Sequence, residues 1–336
     1  MLKVEDLRVV FPTRKGIVKA VDGISFTLPR GGILGLVGES GCGKSVTLLS
    51  LLRLLPYPGR LAGGSICLNG KDIMSLKPKE MRRIRGREMS IIFQDPMTTL
   101  NPVIPVGEQI TEVLRVHGLG DGGFRRFGRP GRDAGVFERA VELLREVGVA
   151  APEERFFQYP HEFSGGMQQR ALIAIALACS PNVLLADEPT TALDVTVQAQ
   201  ILDLLERVNR TRKTSIIFVT HDLGVAAQFC QSIAVMYAGK IVESGPASEV
   251  LENPYHPYTQ GLLQSIPQIG DKKKKLSPIF GLVPDLTETD ERCSFYDRCG
   301  QRQEICRYQT VEMSTLSGGR QVLCHLCGEQ GVDESA

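Results

Sequence analysis

Gly38-Glu39-Ser40-Gly41-Cys42-Gly43-Lys44-Ser45 follows the pattern G-x-x-x-x-G-K-S/T, and its neighbours are the ones that pattern needs. An apolar, strand-like run, Ile33-Leu34-Gly35-Leu36-Val37, leads into it, and Ser45 to Leu55 reads as a helix stopped by Pro56. Glycine lets the backbone curl so that successive N–H groups point inward at a chain of phosphates. The helix N-terminus adds partial positive charge, Lys44 adds a full one, and the Ser45 hydroxyl can hold Mg²⁺. The residues expected to touch the nucleotide are Gly38, Glu39, Ser40, Gly41, Cys42, Gly43, Lys44, Ser45 and Val46.

The chain around this loop has 336 residues, enough for one large domain or two smaller ones. At 42% hydrophobic and 23% charged residues it can build a core and remain ordinary in its surface chemistry. A net charge of +1 argues against nucleic-acid binding driven by bulk electrostatics. The N-terminus carries acid early and has no apolar stretch of the signal-peptide kind. The most hydrophobic segment, Ala171 to Ala186, is broken by Ser180-Pro181-Asn182 and is too interrupted to span a bilayer. Any tie to a membrane is therefore expected through a partner. Nine cysteines without a secretion signal point to a reducing compartment rather than to disulfides.

In chain order, Leu7, Val9 and Phe11, then Ile24, Phe26 and Leu28, alternate as two half-buried antiparallel strands would. Phe11 has two readings, an adenine-stacking ring or a strand aromatic in the core. Ser65 to Asn69 and Met89 to Phe93 read as further strands, with Gln94 directly after the second. Val106 to Val149 reads as helical, interrupted from Gly118 to Gly135 by a glycine- and arginine-rich stretch expected to be a mobile loop. Ser164-Gly165-Gly166 opens a buried helix, Met167 to Cys179, and its N-terminus is a second anion site. Val183 to Ala186 is an apolar strand ending in Asp187-Glu188, and Ser215 to Thr220 is another ending at His221. Strands alternating with helices predict a mostly parallel α/β sheet. An aspartate at such a strand end can hold Mg²⁺ through water, and the next glutamate can activate the attacking water. From about Gly245 prolines multiply and Lys272 to Lys275 forms a run of lysines, read as a solvated linker, so a boundary is placed there. Only one phosphate loop and no internal repeat are found.

Together these residues resemble the ATP-binding subunits of ABC transporters. Gly38–Ser45 resembles Walker A, Gln94 the Q-loop, and Phe163-Ser164-Gly165-Gly166-Met167-Gln168-Gln169-Arg170 the signature motif. Val183–Glu188 resembles Walker B, Ala192-Leu193-Asp194 the D-loop, and His221 the switch histidine. Met167 departs from the commonest signature, which has glutamine there. The resemblance implies an α/β P-loop ATPase of the ABC type, with a RecA-like core, an antiparallel β subdomain and an α-helical subdomain over about 100–180. Residues 1–245 would form the ATPase domain, and 246–336 a small Cys-rich C-terminal domain. It implies ATP and Mg²⁺ as cofactors, with Ser45, Gln94 and Asp187 around the ion and Glu188, His221 and Gln94 as catalytic residues. Ser164, Gly165, Gly166, Met167 and Gln168 would face ATP held by a second ATPase chain, with Asp194 at the D-loop.

A narrower resemblance, to the oligopeptide/dipeptide importer branch that also contains nickel importers, rests on two stretches and a cysteine set. The stretches are Gln94-Asp95-Pro96-Met97-Thr98-Thr99-Leu100-Asn101-Pro102 and Asn253-Pro254-Tyr255-His256-Pro257-Tyr258-Thr259. The cysteines are Cys293, Cys299, Cys306 and Cys324, for which the resemblance implies a 4Fe–4S cluster. Four soft thiolates could equally hold zinc, although only Cys324-x2-Cys327 has the tight spacing usual for structural zinc. The implied assembly sits at the cytoplasmic face of the inner membrane. It contains this chain, a related second ATPase as heterodimer partner, two transmembrane permease subunits and an extracytoplasmic substrate-binding protein, with no nucleic acid. The alternatives are a nickel or small-solute importer, a soluble ABC-type ATPase acting on nucleic acid or ribosomes, and a redox or metal sensor.

Overall fold

Alternation in the first strand is broken once. Leu2 and Val4 face the core, then Leu7 and Val9 do, because Glu5 and Asp6 are both spent at a bulge where Asp6 takes a positive φ of 48°. The structure is a computed structural model and describes residues 1–119, 134–191, 193–265, 279–284, 286–287 and 292–327. Of the loop expected from Gly118 to Gly135, residues 120–133 lie outside the described residues, as do the lysine run 272–275 and Ala192 of the D-loop, while Ala134 and Gly135 already belong to a helix.

The chain begins with β1 (Leu2–Thr13), β2 (Gly16–Leu28), β3 (Ile33–Val37), α1 (Lys44–Leu51), β4 (Arg60–Leu68) and β5 (Lys71–Asp72). Next come α2 (Pro78–Ile84), β6 (Met89–Ile92), α3 (Pro96–Thr99), α4 (Val106–Val116), α5 (Ala134–Glu146), α6 (Pro152–Arg155) and α7 (Gly165–Leu177). They are followed by β7 (Val183–Asp187), α8 (Val195–Arg212), β8 (Ser215–Thr220), α9 (Leu223–Phe229), β9 (Ser232–Tyr237) and β10 (Lys240–Pro246). The described chain closes with α10 (Ala247–Glu252), α11 (Pro257–Gln264), α12 (Ile305–Tyr308), β11 (Ser314–Thr315) and β12 (Gln321–Val322).

The chain divides into two compact units. The first comprises Met1–Leu28, Ile33–Met74 and Phe218–Ala336. Its antiparallel sheet has the order β2-β1-β4-β5, in which β1 and β2 are the two antiparallel strands that the opening alternation predicts. A second set of strands runs β11-β12-β10-β9-β3, of which β3 and β9 are parallel and the rest antiparallel. The expectation of a mostly parallel sheet therefore fails on this flank: β9 and β10 form a hairpin through Ala238-Gly239, both at positive φ. The segment after residue 245 does not stand as a compact unit of its own. β10 runs through the expected boundary to Pro246, and β12 pairs with it, Val322 opposite Glu243.

Helix α1 ends at Leu51 rather than at Pro56. Arg53 adopts a left-handed φ of 52°, its N–H reaching the Ser50 carbonyl at 2.9 Å and the Leu54 N–H reaching Leu49 at 2.8 Å. That pair of bonds is the Schellman stop, here built on a residue other than glycine.

The second unit comprises Pro29–Gly32 and Ser75–Ile217. Here β6 and β7 pair in parallel, and α4, α5 and α7 pack on one another as the expected helical subdomain. Val106, Ile110 and Leu114 of α4 and Val136, Ala140, Leu143 and Leu144 of α5 supply its buried stripes. α7 is buried on most sides, as its sequence indicates, but begins at Gly165.

Candidate active site

Strand β3 is buried along its whole length and delivers the chain to Gly38. A Cβ on Gly38, at φ +153°, would stand 2.2 Å from the Met236 carbonyl oxygen; one on Gly43, at φ +106°, would stand 2.4 Å from that of Ala20. Both glycines are therefore obligatory: the loop is pressed against neighbouring main chain and turns through conformations that a side chain strains. No side chain caps α1, and no acid sits in its first turn, so the positive end of the helix opens onto the loop. Lys44 is 5% exposed, and its Nζ donates to the carbonyls of Gly38 at 2.8 Å and Glu39 at 2.9 Å. Cys42 is fully buried in the same turn, and burial raises its thiol pKa. Phe11 is half-buried, lies opposite Val18 in β2, and packs so closely on Gly59 that a Cβ there would be 2.4 Å from the ring.

In the second unit the structure brings Gln94 and Glu188 together. β6 and β7 are in parallel register, Ile92 beside Ala186, so the residues that leave the two strands emerge at one sheet edge. Glu188 Oε2 accepts a hydrogen bond from Gln94 Nε2 at 3.2 Å and another from Thr191 Oγ1 at 2.9 Å. Glu188 holds a positive φ of 45°, unusual for a side chain of its size and of the kind found at functional positions. Asp187, the last residue of β7, is 6% exposed. Asp194 caps α8, accepting from the Val197 N–H at 2.9 Å. Thr191 has no place in the sequence reading; its only signal there is its position three residues after the acid.

Ser164 caps α7 through the Met167 N–H at 3.4 Å. Among the described residues nothing beyond its own helix and chain neighbours lies within 4 Å of a Cβ placed on Gly165, whereas Gly166 lies against Val197. Met167 is half-buried. Gln168 points inward, its amide donating to the carbonyls of Pro160 at 2.8 Å and Phe163 at 3.3 Å, and so braces the turn that presents Ser164. His221 follows β8 in the first unit and is exposed; Asp222 beside it caps α9.

The five C-terminal cysteines lie in the first unit. The Cys293 N–H donates to the Cys306 carbonyl at 3.0 Å. Burial pushes the Cys293 thiol up to about 11, and charge on Cys306, Cys324 or Cys299 pushes it the same way. Burial raises Cys299 too, with Cys324 and Cys306 adding to it. The Cys327 N–H donates to the Cys324 carbonyl at 3.3 Å, and the proximity of the two thiols raises the first and lowers the second. Among the described residues no group of three or more His, Cys, Asp or Glu side chains is close enough to hold a single metal ion. Thiolate is the donor type that iron–sulfur clusters take, so the residue types fit such a group, while the described residues do not gather them into a metal site. His325 meets the Gln309 carbonyl at 3.2 Å.

Comparison with known proteins gives matches along most of the chain. Residues 21–191 match the ABC transporter family and residues 242–306 match the C-terminal region of oligopeptide/dipeptide transporters. A putative peptide import ATP-binding protein of Brucella abortus is 49% identical, over 94% of this chain and 94% of its own. The dipeptide transport ATP-binding protein DppD of Bacillus subtilis is 47% identical, over 97% of this chain and 94% of its own; its namesake in Escherichia coli is 42% identical, over 97% and 96%. Among solved structures, the dimeric ATP-binding cassette MJ0796 bound to ADP and Pi superposes with a TM-score of 0.63 at 26% identity, covering 74% of this chain and 99% of that one. With the phosphate loop on β3 and the paired Gln94 and Glu188 at the end of β6 and β7, these likenesses place the chain in the ABC transporter family, among the ATP-binding subunits of its oligopeptide/dipeptide branch.

Proposed function

We propose that this chain is the ATP-hydrolysing subunit of a membrane importer for dipeptides or oligopeptides. The observation that carries the cargo is the match of residues 242–306 to the C-terminal region of oligopeptide/dipeptide transporters, because an ATPase core alone is indifferent to what is moved. No helix among the described residues is long and apolar enough to cross a membrane, so coupling requires permease subunits supplied in trans.

In this reading the amides of Gly38–Ser45 and Lys44 take the triphosphate, and Ser45 offers an oxygen to Mg²⁺. Phe11 is offered to the adenine. Asp187 and Gln94 are further oxygen donors suited to that ion, which neutralises charge on the phosphates when bound. Glu188 accepts the proton of the attacking water, held in place by Gln94 and Thr191, and His221 contacts the γ-phosphate. Ser164, Gly165 and Gly166, at the N-terminus of α7, cover the ATP of a second, related chain, as the dimeric state of MJ0796 suggests; we propose a heterodimer, with Asp194 near its seam. An extracytoplasmic binding protein delivers the peptide. Cys293, Cys299, Cys306 and Cys324 are proposed to hold a 4Fe–4S cluster as a structural clip.

Co-expression with its permease and partner ATPase, reconstitution in vesicles and addition of the binding protein test the assignment. Peptide-stimulated ATP hydrolysis with peptide uptake is expected, together with iron and sulfide in anaerobically purified protein. Uptake of nickel without peptide would replace the cargo, and zinc without iron would retire the cluster.

A further inference from the structure

Glu39 is the one acidic side chain in the Gly38–Ser45 loop. Beside a triphosphate a bare carboxylate repels, so its presence calls for a partner. The partner comes from 259 residues away: Arg298 Nη1 donates to Glu39 Oε2 at 2.6 Å and Nη2 to Oε1 at 2.9 Å, a two-point pairing of guanidinium with carboxylate. The Arg298 side chain is 6% exposed. It is itself fixed by the carbonyls of Ile279 at 3.2 Å and Phe280 at 3.1 Å, and its guanidinium lies 5.6 Å from the centre of the Tyr237 ring. The loop's main chain is held from the same side, for the Glu39 N–H donates to the Tyr258 hydroxyl at 2.9 Å. Tyr258 is fully buried and packs against Tyr237 and Phe295. Tyr258, Phe295 and Arg298 all lie beyond residue 245, and Arg298 immediately precedes Cys299.

We propose that Arg298 is a positioning residue for nucleotide binding, which cancels the Glu39 charge and seats the loop, so that the cysteine-bearing segment sets the loop's affinity for a nucleoside triphosphate. This rests on the reading that Gly38–Ser45 holds the triphosphate. The electrostatic role has a signature that a brace lacks: once Arg298 is gone, removing the orphaned carboxylate restores binding.

The test is titration of the full chain with MgATP, for wild type and for Arg298→Ala, Glu39→Gln, the double variant and Lys44→Ala, with melting curves for each. Arg298→Ala is expected to weaken binding about tenfold at low salt and less at high salt. Glu39→Gln is expected to bind at least as tightly as wild type, and the double variant to return within about threefold of it. Lys44→Ala should lose affinity; wild-type binding by that variant would overturn the phosphate-loop reading itself. With Lys44→Ala impaired, the inference is overturned if Arg298→Ala binds normally or if the double variant binds no better than Arg298→Ala. Should Arg298→Ala fail to fold, Glu39→Gln decides alone, since weaker binding by it would leave only a brace.

Discussion

If Glu188 is the proposed base, replacing it by glutamine is expected to separate holding ATP from hydrolysing it. In the wild type one carboxylate oxygen accepts from Gln94 at 3.2 Å and Thr191 at 2.9 Å. Glutamine can offer its amide oxygen to the same two donors and place its NH₂ where the other oxygen was. The left-handed φ of 45° costs glutamine no more than glutamate, so the stability change should stay below about 0.5 kcal/mol. What disappears is the proton acceptor. A positioned base contributes about 10²–10⁴ in rate, or roughly 2.7–5.4 kcal/mol at about 1.36 kcal/mol per decade. The catalytic loss thus exceeds the structural one at least fivefold in energy. Steady-state hydrolysis by the assembled complex should fall at least about a hundredfold, while MgATP affinity stays within about threefold and the melting temperature within a degree or two. Turnover within about tenfold of wild type, with ATP bound, would remove Glu188 from the role of base.

Two further outcomes concern the segment after β10. Burial drives His256 down to about 3, and its Nδ1 accepts the Tyr258 N–H at 3.0 Å, which requires the neutral ring. With the folded value below the unfolded one near 6.5, stability is full above that pH and falls as pH drops. A loss of about 2 kcal/mol between pH 7 and pH 5 is expected in urea melts, flattened in His256→Gln; equal slopes would contradict it. Arg320 and Glu243 form an ion pair at 3% and 0% exposure, with Arg320 also stacked 4.3 Å from the Tyr255 ring centre. Arg320→Met leaves the carboxylate buried with only the Tyr255 and His256 N–H groups, a cost of about 3 kcal/mol that Glu243→Leu in the same chain should partly reverse; an unchanged denaturation midpoint in the single variant would refute it.

What could be read from the sequence was mainly what the backbone demands. Gly38 and Gly43 are glycine because carbonyls of Met236 and Ala20 leave no room for a Cβ, and β3, Val183–Ala186 of β7 and Ile216–Val219 of β8 are apolar runs because both faces are buried. The α1 terminus was not legible. Leu54 and Leu55 continue the apolar pattern, and an arginine in the left-handed conformation carries no mark of it in the sequence. The boundary expected at Gly245 followed a real change in composition, but composition does not report pairing, and the strand that joins β10 is two residues long. Gln168 shows a different limit: the signature pattern marks the residue, while only the structure shows its amide turned inward to the Pro160 and Phe163 carbonyls.

The least legible residue, Arg298, follows from a constraint that the motif contains but does not express. The variable positions of G-x-x-x-x-G-K-S/T admit any side chain that leaves the main chain free, and a glutamate satisfies that condition sterically. Electrostatically it does not, because a carboxylate two residues upstream of Gly41 competes with the triphosphate that the loop is proposed to bind. On the proposal made above, this chain offsets that charge with a cation that tertiary structure brings to the carboxylate and holds rigidly enough not to pair with the phosphates instead. Arg298 meets both conditions: its two nitrogens are committed to the carboxylate, and the Ile279 and Phe280 carbonyls and the Tyr237 ring fix its plane. The same reasoning ties the phosphate loop to the segment that bears Cys293 and Cys299, since any rearrangement that withdraws Arg298 exposes the Glu39 charge to the nucleotide.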